Sequence, residues 1–212
     1  MLELYLVRHG QTEFSRQNRF CGAIDPPLNA VGSDMAACLG EAYGGLGWDA
    51  IYTSPRQRTI ATAAPLAAKA GITPVVHEGL AEIAYGEWEG SSHEEIRAQH
   101  PEAYAYWAAD PASRGTPGGE TAFHVAARAT RVIAGIIDGA NDRGRVLVVS
   151  HKATLRIIAC ALLGLDVRVF RKHLAQPVGA LTRFDIHAGR PVLALHGDDS
   201  YLPARLRGLE GT

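Results

Sequence analysis

Two histidines and several arginines stand where a folded chain can bring them together. Arg8-His9-Gly10-Gln11-Thr12 follows a short apolar run at residues 3–8. Ser150-His151-Lys152 follows another, Val146 to Val149. Thr53-Ser54-Pro55 follows a third, with Arg56 and Arg58 close behind. An arginine beside a histidine at a strand end reads as an anion clamp, because the guanidinium fork matches phosphate oxygens. Arg56 and Arg58 are two residues apart on one helix, so they point apart and do not share a role. Metal binding by the histidine pair fails on supply: there is no HExxH, no HxH and no acidic cluster near His9 or His151. The remaining histidines, His93 among them, read as surface or hydrogen-bonded core residues.

The elements that must position these groups alternate. Residues 3–8 read as a strand cut off by Gly10. A helix runs from Asn29, its N-cap, to about Tyr43, with Gly44-Gly45 as its stop. Ala50 to Tyr52 is a second strand. Ser54 is read as the cap of the next helix, with Pro55 at its first position and Gly71 as its stop. A short strand at 74–76, two helical pieces at 92–99 and 101–109, and a long helix at 120–138 follow. Val146 to Val149 is four apolar, mostly β-branched residues, as expected of a parallel strand buried on both faces. Thr154 to Leu163 is apolar nearly all round and predicts a buried helix. Strands near 180–186 and 191–195 close the sheet, and the tail from about Leu202 reads as a loose extension.

This alternation predicts an α/β fold: three layers, α/β/α, around a mostly parallel sheet. Ligands of such sheets collect at the carboxyl ends of the strands, where His9, Ser54 and His151 all fall. No repeat or linker interrupts the chain, so 1–212 is read as one domain, with an insert at about 83–118 placed to cap the site.

Composition removes several classes of function. The 212 residues carry 21 Lys+Arg against 22 Asp+Glu, a net charge of -1. That balance excludes a phosphate-tracking nucleic-acid surface as the main role. With 47% hydrophobic and 20% charged residues, the chain is neither disordered nor membrane-spanning in character. Three scattered cysteines, Cys21, Cys38 and Cys160, make neither a disulfide framework nor a zinc motif. Leu4 to Val7 is broken at once by Arg8 and His9, too short for a signal-peptide core. The expected location is the cytoplasm.

Six ordered blocks spread over most of residues 4–165 resemble the histidine phosphatase (phosphoglycerate-mutase-like) superfamily. Arg8-His9-Gly10 resembles its RHG signature, and Asp25-Pro26-Pro27-Leu28-Asn29 with Gly32 its D-x-PL-T-x-x-G segment. Ser54-Pro55 through Arg58 to Thr62-Ala63 is similar to its SP…R…TA helix. Leu80-Ala81-Glu82, with Tyr85-Gly86-Glu87-Trp88-Glu89-Gly90, is similar to its L-x-E-x-x-x-G-x-W-E-G segment. Pro117-Gly118-Gly119-Glu120-Thr121 resembles its PGGES turn, and Val149-Ser150-His151 its second-histidine motif.

The resemblance implies a phosphoglycerate-mutase-like fold and a phosphohistidine mechanism. It makes His9 the nucleophile. Arg8, Arg58 and His151 surround the phosphoryl oxygens. Glu82 protonates the leaving group and then activates water, a role that calls for a carboxyl group raised by apolar surroundings such as Leu80, Ile83 and Tyr85. No metal and no cofactor is expected, since cationic side chains supply the charge. The substrate-contacting positions it implies are Gln11, Ser15, Cys21, Gly22 and Lys152. Ser15 stands where asparagine is frequent, Cys21 where glutamine is, and Lys152 where glycine is. Lys152 reads equally as a helix-start residue reaching solvent and as an extra cation over a second acidic group, sharing a face with Arg156.

The leading reading is a metal-independent phosphomonoesterase acting on a small phosphorylated metabolite. The alternative is a cofactor-dependent phosphoglycerate mutase, which has a longer insert to exclude water. The short stretch from Gly90 to Pro117 favours hydrolysis. A catalytically silent phospho-ligand binder would lack one of the five central residues, and all five are present. No nucleic acid or membrane partner is expected, and a homodimer is left open.

Overall fold

Alternate residues of the central strands serve two different cores. The computed structural model describes residues 1–140, 143–209 and 211. In chain order the elements are β1 (Leu2–Arg8), α1 (Glu13–Arg16), α2 (Ala30–Tyr43), β2 (Ala50–Thr53), α3 (Gln57–Ala70), β3 (Val75–Val76), α4 (His93–Gln99), α5 (Pro101–Ala109), α6 (Ala122–Gly139), β4 (Gly144–Ser150), α7 (Lys152–Leu163), β5 (Leu181–His187) and β6 (Arg190–Asp198). Leu2, Leu4 and Leu6 of β1 join Val146 and Val148 of β4 against α6 and α7. Tyr5 and Val7 join Leu147 and Val149 on the other face, against Leu39 of α2 and Ala63 and Leu66 of α3. This period-two division makes the three layers predicted from sequence.

The sheet order is β3-β2-β4-β1-β5-β6. The first four strands in that order are parallel, and β5 and β6 form an antiparallel hairpin on the β1 side. The register sets the strand ends level. Arg8 lies opposite Ser150, and Thr53 opposite Val149. The next residues, His9, His151 and Ser54, therefore leave the sheet side by side. Backbone bonds carry the pairing one step beyond the strands, from His9 N to Ser150 O (3.0 Å) and from Ser54 N to Val149 O (3.2 Å).

Local chemistry explains the element boundaries, with two corrections. Asn29 caps α2 by accepting the Gly32 N–H at 2.9 Å, and α3 ends on Gly71 at φ +69°. However, α3 starts at Gln57, and its N-cap position is Arg56, which makes no side-chain cap bond. Ser54 is not the helix cap, because its hydroxyl is committed to His151 (2.7 Å) as well as to the Arg56 N–H (3.2 Å). The tail is not loose either. Leu202 and Leu206 are buried against Met35 and Val178, and the Tyr201 hydroxyl donates to the Gly179 carbonyl.

Gly10 and Gly32 explain two glycines of the motifs. A Cβ on Gly10 would stand 2.5 Å from Gly32 O, and one on Gly32 would stand 2.1 Å from Gln11 O. The loop after β1 lies directly on the start of α2, and neither position has room for a side chain. Residues 83–118 hold α4 and α5, and their Trp88, Ile96 and Trp107 form a separate apolar cluster with Phe20 from the loop after α1.

Candidate active site

His9 and His151 face each other, with ring centroids 5.2 Å apart and planes at 64°. His9 Nδ1 lies 2.8 Å from the Gly10 carbonyl oxygen. A carbonyl only accepts, so Nδ1 carries the proton and Nε2 keeps the lone pair. Burial, reinforced by Arg58 and Arg8, holds His9 well below the usual imidazole range. His151 is likewise pushed down by burial first, then by Arg58 and His9. Its Nε2 is bonded to Ser54, and its Nδ1 is buried with no hydrogen-bond partner among the described residues.

Two buried guanidinium groups flank the histidines. Arg58 donates from Nη1 to the Ile24 carbonyl (2.9 Å) and Asp25 (3.2 Å), and from Nη2 to the Cys21 carbonyl (3.3 Å). Arg8 donates to the Gln176 carbonyl at 2.8 Å. Its burial outweighs the opposing attraction of Glu82 and draws it down to about 9.

Glu82 belongs as much to α7 as to its own loop. Its Oε1 accepts from the Thr154 N–H (3.1 Å), the Thr154 hydroxyl (3.0 Å) and its neighbour's Ile83 N–H (2.9 Å). Oε2 accepts from the Ala153 N–H at 3.1 Å. The carboxylate satisfies two orphan donors of the helix that follows His151. Its sequence neighbours suggest apolar surroundings, and the structure corrects this: the atoms around the carboxylate are N–H groups and a hydroxyl.

A small cavity of about 20 Å³ is lined by His9, Thr12, Ser15, Cys21, Arg58, Glu82 and Tyr85. A larger one, about 330 Å³, shares Glu82 and Tyr85 with it. A third, about 560 Å³, brings Arg8 to Ser15, Lys152 and Arg156. His9, Arg58, Glu82, His151 and Arg8 thus converge from four separate parts of the chain.

The positions read as substrate contacts divide. Cys21 lines the small cavity, with burial raising its thiol to about 11. Lys152 lines both larger cavities and donates to the Gly211 carbonyl. Burial and then Arg8, Arg156 and Arg171 push its ammonium down to about 7. Ser15 reaches the cavity wall, but its hydroxyl proton is spent on the Thr12 carbonyl at 3.0 Å and its oxygen accepts the Thr12 N–H. Gln11 is turned away, its side-chain oxygen accepting from Asn29 at 2.9 Å. The Gly22 N–H is occupied by Glu89 at 3.0 Å.

Sequence reasoning missed several supporting residues. Glu89 accepts backbone N–H bonds from Gly22, Ala23, Ile24 and Tyr85, and so holds the loop that carries Arg58's carbonyl partners. The motif that includes Glu89 was visible, but its partners 65–67 residues away were not. His93, read as an ordinary histidine, lines the larger cavity beside Tyr104. Burial, then Arg171, takes its ring down to about 4.

Residues 4–199 match the family model described as the histidine phosphatase superfamily, branch 1. The chain belongs to the histidine phosphatase superfamily. It is 32% identical over 173 residues to phosphoserine phosphatase 1 of Hydrogenobacter thermophilus, spanning 80% of each chain. It is 32% identical over 171 residues to the glucosyl-3-phosphoglycerate phosphatase of Mycobacterium tuberculosis, spanning 77% of this chain and 76% of that one. The solved structure of YhfR from Bacillus stearothermophilus superposes with a TM-score of 0.86 at 29% identity, covering 95% of this chain and 99% of its own. The protein is a phosphatase, a hydrolase of phosphoric monoesters. Among the described residues no helix is long and apolar enough to cross a membrane.

Proposed function

We propose that this histidine phosphatase cleaves a small phosphorylated metabolite through a phosphohistidine on His9, without a metal. The observation that carries the reading is the pairing of two imidazoles with opposite hydrogen-bond roles. His9 has Nδ1 tied to Gly10, which leaves Nε2 as the nucleophile. His151 has Nε2 tied to Ser54, which leaves Nδ1 to donate to a phosphoryl oxygen. In this reading Nε2 of His9 attacks phosphorus as the ester P–O bond breaks, and the leaving oxygen takes a proton from Glu82. Water, deprotonated by Glu82, then breaks the N–P bond and releases phosphate. Arg8, Arg58 and His151 stabilise the charge on the phosphoryl oxygens in both steps.

Cys21 and Ser15 form the wall of the phosphoryl cavity rather than donors to it, and Lys152 stands toward the leaving group. Residues 83–118 act as a cap on one domain. The cap is short, so water reaches the phosphoenzyme and hydrolysis prevails over transfer. The two named relatives act on phosphoserine and glucosyl-3-phosphoglycerate, both of which fit the small-metabolite class. Three free cysteines suit a reducing cytoplasm.

The test is phosphate release from p-nitrophenyl phosphate and a panel of phosphorylated metabolites, with EDTA present. Release that survives EDTA, is abolished by His9→Ala, and passes through an acid-labile phosphoenzyme on His9 is the expected result. Conversion of 3-phosphoglycerate to its 2-isomer without phosphate release would overturn it in favour of a mutase.

A further inference from the structure

Glu82 is carried by a segment with no regular structure of its own. A single 3₁₀ turn, Glu78–Leu80, ends just before it, and residues 81–85 belong to no helix or strand. Buried backbone of that kind takes its hydrogen bonds from side chains or water. Here side chains supply them. The Leu80 carbonyl accepts from the Ser150 hydroxyl, and the Ala81 carbonyl from the Thr154 hydroxyl, both at 2.8 Å. The carbonyls of Gly79 (2.9 Å), Ala81 (2.7 Å) and Glu82 (3.1 Å) all accept from one residue, Arg128 of α6.

A guanidinium has five N–H groups, and Arg128 meets an acceptor for each. Three are those carbonyls. The other two are the oxygens of Glu120, at 3.0 Å from Nε and 2.9 Å from Nη2. Glu120 is tied to the same segment: it accepts the Ala84 N–H at 3.0 Å, and its own N–H donates to the Ala84 carbonyl at 2.8 Å. A simple ion pair would use two of the five donors. Here the other three are spent on carbonyls within four residues that end at Glu82, in a half-buried, forked and therefore directional arrangement.

Glu82 is thus held at both ends. At its tip, Oε1 accepts three bonds and Oε2 only the Ala153 N–H, so Oε2 is the oxygen with room for a proton. At its root, Arg128 holds the carbonyl. With the root released, the tip can keep bonds to α7 through other rotamers, and the reach of Oε2 into the cavity it shares with His9 is no longer fixed. Arg128 itself is not among the residues lining the three cavities of the site.

We propose that Arg128, braced by Glu120, is the positioning residue for Glu82 and sets the distance over which Glu82 passes its proton to the leaving oxygen. This inference rests on the reading of Glu82 as acid and base given above.

The test is the leaving-group dependence of a single turnover, using the full chain. Phenyl phosphate and p-nitrophenyl phosphate differ little in shape, but phenolate needs a proton to leave far more than nitrophenolate does. Arg128→Met should slow phenol release about 100-fold, the cost of a misplaced reacting group, and nitrophenol release much less. Arg128→Lys keeps the charge but not the fork, so it should recover little of that rate. Glu82→Gln should show the same selective loss, and adding Arg128→Met to it should cost little more. A merely structural arginine would slow both releases alike and would add its full cost in the Glu82→Gln background. Either result, or no loss in an Arg128 variant that folds, would overturn the positioning role while Glu82→Gln stays selective. If Arg128→Met fails to fold, Glu120→Gln carries the same comparison, with a smaller selective loss expected because the fork keeps one oxygen. Should Glu82→Gln itself slow both esters alike, the acid–base reading of Glu82 is overturned, and the positioning role with it.

Discussion

Ser54 Oγ sits 2.7 Å from His151 Nε2 and so governs which nitrogen of that ring carries the proton. Neutral His151 has a single N–H. The proposed mechanism has the Ser54 hydroxyl donate to Nε2, which puts that proton on Nδ1, the atom without a partner among the described residues. Ser54→Ala releases Nε2 to take the proton and leaves Nδ1 bare toward the phosphoryl group. Turnover is expected to fall about 10- to 100-fold, the usual cost of losing a partner that orients a reacting imidazole, with KM little changed. Ser54→Thr should restore most of it. Ring ¹⁵N shifts of His151 report the tautomer directly, and a ring still protonated on Nδ1 in the alanine variant would remove Ser54 from this role.

Glu82 has a chemical task and a structural one, and two substitutions separate them. Glu82→Gln keeps the shape and an acceptor oxygen for the first turn of α7 but cannot exchange a proton. Turnover on an alkyl phosphoester should drop about 100- to 10,000-fold. The phosphorylation step with p-nitrophenyl phosphate should drop less, because nitrophenolate leaves without protonation; a burst of nitrophenol followed by slow turnover is the signature. Glu82→Ala also strips the acceptor from Ala153 and Thr154. Denaturant unfolding should show a further loss of about 1 kcal/mol, the size of a lost N-cap. Equal effects of both variants on both substrates would contradict the division.

Acid should destabilise the fold through the histidine pair. Both rings are held well below their ordinary value, by burial first and then by the nearby charges. In the unfolded chain each titrates near about 6.5. Below that pH the unfolded state takes up protons that the folded state refuses, so stability present above it is lost as the pH falls. The melting temperature should decline steadily from about pH 7 to about pH 5, and less steeply in His9→Asn than in the wild type. A melting temperature that held or rose on acidification across that window would contradict the burial of neutral rings.

Much of this was legible in the residues themselves. The short apolar run at residues 3–8 and the unbroken run Val146 to Val149 predicted strands of the sheet, and Asn29 and Gly71 marked helix ends by local rules. The convergence of His9 with His151 followed from placing each just beyond a strand. What escaped was decided by contacts across long stretches of chain. Ser54 looks like a helix cap until His151, 97 residues on, takes its hydroxyl. Gly22 offers a free N–H in sequence, yet Glu89 claims it. Glu82 has apolar neighbours in sequence and polar ones in space. Arg171 lies outside every motif, and only the fold brings it to the wall shared with Lys152 and Arg156.

The position of β1 has a consequence for how the protein is made. This first strand lies between β4 and β5, so Leu2 waits for Gly144 on one side and Ile186 on the other. Both pairings are far in sequence, and such distant closures are slow to form. On the ribosome, the strand that delivers Arg8 and His9 stays without neighbours until most of the chain has emerged. Its apolar face is then open to other chains for that whole interval. Chemistry arrives last: no shortened product of translation that lacks β4 and β5 can assemble the histidine pair.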